Sequence, residues 1–116
     1  MMKGNMKKSA AVLAVLLAAI FIMMTIANGI QTDGGKVAIS IGTIETDLGD
    51  LSYKLYTPVT ATESDPAPGV LLLHGYQNDH ETCAAYAIEL ARRGAVVMVP
   101  DEYGHGSTTI GLMNRG

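Results

Sequence analysis

The sequence predicts an α/β protein in which a mixed β-sheet follows one membrane-spanning helix. Three observations predict it. Residues 9–31 carry no charge, residues 37–58 alternate apolar with small or polar side chains around a central turn, and residues 70–100 hold two continuous apolar runs separated by a helical pattern. The first pattern is typical of a transmembrane helix, the second of an antiparallel hairpin, and the third of a βαβ unit with parallel strands.

The amino-terminal segment is interpreted as a membrane anchor. Lys3, Lys7 and Lys8 form a basic arm, residues 1–8, ahead of the uncharged residues 9–31. About 20 apolar residues suffice to cross a bilayer as a helix, and positive residues favour the cytoplasmic side. We therefore expect a single-pass protein that contacts the lipid bilayer through this segment, with a cytoplasmic amino terminus and an extracytoplasmic domain.

Two other interpretations of the apolar segment are considered. A buried core helix would show a polar stripe, and this segment shows none. A cleaved signal peptide stays open, with Ala27-Asn28-Gly29 as a small-x-small cleavage site. Signal h-regions usually run about 7–15 residues, so the greater length favours a retained anchor. The glycine-rich residues 32–36 then form a linker to the domain.

Charge excludes one class of partner for the exported part. The residues after Ile30 hold five Lys and Arg against eleven Asp and Glu, a net charge of −6. Nucleic-acid binding needs clustered Lys and Arg, so no nucleic-acid partner is expected. Cys83 is the only cysteine, so no disulfide forms within the chain.

The predicted domain, residues 37–116, begins with the hairpin. Val37, Ile39 and Ile41 alternate with small or polar neighbours, residues 47–50 read DLGD, and a second alternating run, LSYKLYTP, ends in proline. Period-two alternation on both sides of a turn indicates two antiparallel strands.

The βαβ unit follows a polar loop. Residues 70–73 and 95–100 read as strands covered on both faces. The helix between them is predicted to start at a cap, Asn78 or Asp79, and to stop at Gly94. Its predicted apolar stripe consists of Cys83, Ala84, Ala87, Ile88 and Ala91.

Two loops follow the predicted parallel strands. His74-Gly75-Tyr76 follows the first, and DEYGHGST, residues 101–108, follows the second. Ligands of open α/β sheets bind beyond the carboxyl ends of the strands. A glycine there lets the backbone turn sharply and direct amide N–H groups outward, which is what an oxyanion hole requires.

In these segments the sequence resembles the α/β-hydrolase family, specifically its esterase and lipase-like members. The resemblance covers residues 37–108 through TDLGDLSYKLYTP, LLLHGYQND and ELARRGAVVMVPDEYGHGST, in that order and spacing. It implies an incomplete α/β-hydrolase-like sheet, a carboxylic ester as the small-molecule substrate, acyl transfer to water and no cofactor. It also implies that the backbone N–H of Tyr76 is one of two oxyanion donors. The other active-site loop residues would be His74, Gly75, Asp101, Gly104, His105 and Gly106.

Each of these residues also has a simpler, non-catalytic interpretation. His74 reads as a hydrogen-bonded organiser of its loop, because a general base must face a nucleophile and none is available. Asp101 and His105 read as turn residues, and His80 as a solvated residue at the helix start. A metal site from His74, His80, His105 and Asp101 is disfavoured, since the histidines lack a paired local spacing. A nucleotide site at Gly104-x-Gly106 lacks its third glycine.

The sequence contains no nucleophile elbow, Gly-x-Ser-x-Gly, and no later acid and histidine. Ser107 has Thr109 where the elbow needs a glycine. We therefore interpret the chain as the amino-terminal fragment of a membrane-anchored serine hydrolase that is inactive by itself. The alternative is a non-catalytic, membrane-anchored remnant or partner-binding module.

Overall fold

The structure, a computed structural model, describes residues 2–113. Residue 1 of the predicted arm and residues 114–116 of the predicted domain lie outside the described residues. Its elements are α1 (Met2–Gln31), β1 (Val37–Thr46), β2 (Gly49–Pro58), β3 (Gly69–Leu71), a short 3-10 helix (His80–Cys83), α2 (Ala84–Arg92) and β4 (Val96–Pro100).

Helix α1 runs without a break through the basic arm and the apolar segment. Its membrane-candidate stretch has a mean hydropathy of 2.8, and none of it is buried against the rest of the protein. Phe21, for example, is 72% exposed. A signal sequence near the amino terminus can also be this apolar, whereas the core helix of a soluble protein would be mostly buried. The helix is therefore long and apolar enough to span a membrane.

The linker is a hydrogen-bonded turn. Asp33, Gly34 and Gly35 adopt left-handed φ angles, and the N–H of Gly34 donates to the carbonyl of Gly29 at 2.7 Å, which closes the end of α1. The Asp33 carboxylate pairs with Arg92 of α2 at 3.2 Å. The end of α1 is thereby joined to the end of α2.

The four strands form one mixed sheet in the order β1-β2-β4-β3. β1 and β2 form the predicted antiparallel hairpin, in register from Val37 opposite Pro58 to Thr46 opposite Gly49. β4 pairs antiparallel with β2 on one side and parallel with β3 on the other. This arrangement brings the carboxyl ends of β3 and β4 to the same edge of the sheet.

β3 is shorter than its apolar run predicts. It covers Gly69–Leu71, and one more bond, from Leu72 N–H to the carbonyl of Met98 at 2.9 Å, continues the pairing. Leu71 is 62% exposed and Leu73 is 56% exposed. The predicted burial on both faces is not found, because Val70 and Leu72 pack against the core whereas the alternate residues, Leu71 and Leu73, are exposed.

The core lies between α2 and the sheet. Asp79 caps the 3-10 helix by accepting from Glu81 N–H, and Gly94, with φ of 98°, follows the end of α2. The predicted stripe faces the sheet, since Ala87 and Ala91 are almost completely buried. The buried core residues are Val37, Tyr56, Cys83, Ala87, Ala91, Val97 and Val99.

Candidate active site

The two predicted loops meet at the carboxyl edge of β3 and β4. A cleft of ≈ 380 Å³ lies there, and Tyr76 from the first loop and His105 from the second both line it. The remaining wall residues are Leu51, Pro100, Glu102, Tyr103 and Leu112. The surface of the cleft is therefore mostly apolar, with one carboxylate and one imidazole.

Tyr76 sits in a tight turn directly after the β3 segment. Asn78 N–H donates to the carbonyl of Gly75 at 3.2 Å and closes the turn. The left-handed residue is Gln77, with φ of 63°, whereas Gly75 has no positive φ. The sequence predicts the sharp bend at Gly75, and the residue type of Gln77 gives no signal for it. A non-glycine residue in this conformation costs about 1–2 kcal/mol, so other contacts must hold the turn.

His74 is buried and both of its ring nitrogens are engaged with the backbone. Nε2 accepts a hydrogen bond from the N–H of Glu102, in the second loop, at 3.0 Å. Nδ1 lies 2.8 Å from the carbonyl oxygen of Gly75. Because Nε2 accepts, Nδ1 carries the proton and donates. His74 therefore connects the two loops as a neutral imidazole.

His105 makes the corresponding connection in the opposite direction. Its Nε2 accepts from the N–H of Gln77 at 3.0 Å, and its Nδ1 lies 2.8 Å from the carbonyl oxygen of Tyr103. The His74 and His105 rings meet edge to face with centroids 5.3 Å apart. The bond to Gln77 holds the strained residue of the Tyr76 turn.

Asp101 is the fully buried carboxylate at the end of β4, with no exposed surface. Its Oδ1 accepts from the backbone N–H of His80 at 2.8 Å and lies 2.7 Å from His80 Nδ1, and its Oδ2 accepts from the N–H of Ser107 at 2.8 Å. Burial alone would raise the pKa of Asp101, but these hydrogen bonds and the His80 ring lower it below its ordinary value. Asp101 therefore joins the second loop to the start of the helical segment.

His80 lies beside Asp101 and is largely buried, so the prediction of a solvated residue at the helix start is wrong. Its side chain is only 13% exposed, with Nδ1 on Asp101 and Nε2 3.2 Å from Glu81 Oε1. Glu81 also pairs with Lys54 of β2 at 2.6 Å. That hydrogen bond is the largest cause of a lowered pKa of Glu81. No local pattern could predict the pair with Asp101, because the two residues are 21 positions apart and meet only when β3 and β4 pair.

The position of Gly106 in the second loop leaves no room for a side chain. It has φ of 52°, and a Cβ there would overlap the Asp101 carboxylate. Gly104, with φ of 74°, is similarly close to Leu112. The Gly-His-Gly sequence thus lets the loop wrap around Asp101 while presenting His105 to the first loop.

The described residues assemble no catalytic base and nucleophile pair. All three histidines have both ring nitrogens within hydrogen-bonding or ion-pairing distance of other groups. Within residues 2–113 no serine hydroxyl bonds to a histidine, and no group of three or more His, Cys, Asp or Glu is placed to hold a metal ion.

No protein-family model and no curated protein matches the sequence significantly. Solved structures do match it. A hypothetical protein from Pseudomonas aeruginosa is 24% identical with a TM-score of 0.58, over 67% of this chain and 24% of that chain. The thioesterase domain from the curacin biosynthetic pathway is 24% identical with a TM-score of 0.52, over 61% of this chain and 23% of that one.

Epoxide hydrolase A from Mycobacterium thermoresistibile is a third similar structure. It is 24% identical with a TM-score of 0.51, over 61% of this chain and 20% of that one. The fold is α/β-hydrolase-like. The chain spans about a quarter or less of the length of these structures, so what it contains is part of an α/β-hydrolase-like sheet, with the hairpin, the βαβ unit and the two loops in place.

Proposed function

We propose that the chain supplies the oxyanion loop of a membrane-anchored α/β-hydrolase that transfers an acyl group from a small carboxylic ester to water. One observation carries the proposal. Among the described residues, the backbone N–H of Tyr76 has no hydrogen-bond partner, and this residue lines the cleft at the carboxyl edge of β3 and β4. A fixed, unpaired N–H at such an edge is suited to stabilise negative charge on a carbonyl oxygen.

The proposed reaction has two steps. In the first step, a serine downstream of Gly116 attacks the ester carbonyl and gives its proton to the downstream histidine, and the tetrahedral oxyanion accepts hydrogen bonds from Tyr76 N–H and from the N–H after the nucleophile. The histidine then passes the proton to the alkoxide, which leaves as the alcohol. Water then attacks the acyl-enzyme and releases the acid. His74 and His105 are assigned no proton transfer, because their ring nitrogens bind the backbone.

The walls of the cleft favour an uncharged substrate. Leu51, Pro100 and Leu112 offer apolar surface to an acyl or alcohol group, and the carboxylate of Glu102 repels an anionic one. A neutral, apolar ester is therefore the preferred substrate class.

Sequencing the DNA beyond the codon for Gly116 tests the proposal. A Gly-x-Ser-x-Gly elbow is expected roughly 20–50 residues further on, because one more strand, turn and helix of a βαβ unit takes about 30 residues. A coding sequence with no elbow in any forward frame would contradict the enzyme assignment.

Membrane insertion is the second part of the proposal, and α1 carries it. After expression in cells, the chain should stay in the membrane pellet through alkaline carbonate washing, and a protease added outside should cleave the domain after Gln31. Replacing Leu16 and Ile20 in the middle of α1 by Arg should release it, since each central charge costs about 2.5–3.5 kcal/mol on insertion scales. Exchanging exposed Lys36 for Arg is the matched control. A soluble wild-type chain would exclude the anchor.

A non-catalytic, membrane-anchored module is the second candidate. The engagement of all three histidines and the exposed apolar side chains Leu71 and Leu73 favour it. In that case the 116-residue chain by itself should bind a partner over this face, and no ester hydrolysis should depend on a downstream serine.

A further inference from the structure

Each of the two histidines of the candidate site binds the backbone of the opposite loop. His74 of the first loop binds the N–H of Glu102 in the second. His105 of the second loop binds the N–H of Gln77 in the first. The Nδ1–H of each ring donates a hydrogen bond to a carbonyl of its own loop, that of Gly75 for His74 and that of Tyr103 for His105. The two contacts have the same atoms, the same polarity and the same 3.0 Å length.

We propose that His74 and His105 form a reciprocal clasp that positions the Tyr76 N–H, and that the clasp closes only while both rings are neutral with the proton on Nδ1. The role in positioning Tyr76 rests on the proposed function. The clasp itself is a property of the two loops and does not require that function.

The ring state follows from what each nitrogen contacts. An N–H donor faces Nε2 of each ring, so a proton on Nε2 would place two donors against each other. Protonation to imidazolium removes the acceptor from either ring. It would also bring two positive rings to 5.3 Å from each other. Loss of one acceptor therefore removes one of the two hydrogen bonds that join the loops.

Among the described residues, no carboxylate contacts the His74 or His105 ring directly and so offsets the repulsion between the two protonated rings. The Asp101 carboxylate is committed to His80 and Ser107, and β2 contributes uncharged Leu51 to the cleft. The other titratable groups around the pair, from the two loops, are Tyr76, Glu102 and Tyr103.

Loss of the His105 contact would affect Tyr76 through the adjacent residue, Gln77. Gln77 is left-handed with φ of 63°, and its N–H is held by His105. Without that acceptor the unfavourable backbone conformation is no longer compensated. The turn then relaxes, and the orientation of the preceding N–H, that of Tyr76, changes with it.

Nitrogen-15 NMR of the histidine-labelled 116-residue chain in detergent micelles tests the clasp directly. At pH 8 both rings should show the pattern of the Nδ1–H tautomer, which is the minor form of free histidine in water. His80, whose Nδ1 faces a carboxylate, is the internal comparison. A wild-type chain with His74 and His105 in the Nε2–H form would overturn the proposal without any variant.

Amide hydrogen exchange supplies the second test. His105→Phe keeps a ring but removes the acceptor, and should speed the exchange of the Gln77 amide about tenfold, as expected for loss of one hydrogen bond, with faster exchange at Glu102 as well. His105→Gln keeps an uncharged acceptor at the Nε2 position and should restore protection.

Acidification from pH 8 to about 5, where histidine changes charge, should expose both amides in wild type after correction for intrinsic rates. The Gln77 amide should stay protected in His105→Gln. Protection of both wild-type amides at the acid end would overturn the clasp. These readouts need no hydrolase activity, so absence of an esterase would leave their outcome unchanged.

Discussion

Replacing the backbone N–H of Tyr76 by an ester oxygen is expected, under the proposed function, to lower kcat about 10²–10³-fold in a longer chain that includes the elbow. This is the size of effect found when one oxyanion donor is removed. The substitution deletes only the donor, because the phenol side chain stays and is 74% exposed. KM for a neutral ester should change little, since the donor binds charge that develops only in the transition state.

Tyr76→Phe is the matched control. It retains the N–H and removes the phenol hydroxyl, so kcat should stay within about threefold of wild type, well below the size of a lost oxyanion contact. Equal losses in the two variants would assign the effect to the side chain. Unchanged kcat in the ester variant would remove Tyr76 from the oxyanion hole.

Asp101→Ala is expected to lower the free energy of unfolding by about 3–5 kcal/mol, because hydrogen bonds to a charged group contribute about 1.5–3 kcal/mol each. The change leaves two partly buried N–H groups, of His80 and Ser107, without their acceptor. It also removes the charge next to the His80 ring. Urea unfolding of the chain in micelles, followed by tyrosine fluorescence, measures the difference.

Asp79→Ala provides the graded comparison, because Asp79 accepts one exposed cap bond from Glu81 and such caps contribute about 1 kcal/mol. Equal effects of the two changes would show that Asp101 does not hold the loop to the helix start.

Lowering the pH should reproduce part of the destabilisation expected for Asp101→Ala. The pKa of Asp101 is lowered from its ordinary value of 3.8. Its contribution to stability is therefore complete above that value and is lost as the pH falls through the lower, folded-state pKa. Wild type should lose stability below pH 3.8, and Asp101→Asn should lack this part of the decline. Parallel pH profiles would contradict the assignment.

The elements that sequence could predict depend on local patterns. Alternation at Val37–Ile41 predicted the hairpin, the two apolar runs predicted the parallel pair of β3 and β4, and Asp79 was one of two predicted caps. The meeting of the two loops followed from topology alone, because parallel strands end at the same edge.

The missed features depend on contacts between distant residues. His80 finds Asp101 only after the sheet forms, and the left-handed Gln77 is held by His105 from 28 positions away. The buried side of β2 carries Ser52 and Tyr56 while Leu51, Tyr53 and Leu55 are half-exposed. Only the register with β4, Tyr56 opposite Val97, places Tyr56 in the core.

The direction of the strands sets the side from which a molecule reaches the cleft. β1 leads away from the α1 end of the chain at Val37, and β4 runs the same way because both strands pair antiparallel with β2. Pro100, at the cleft, is level with Tyr53 and so with Gly42. Five residues of strand, about 17 Å, separate that level from Val37. With α1 in a bilayer, the cleft would open at the end of the sheet remote from α1, so that a ligand would reach it through the water phase.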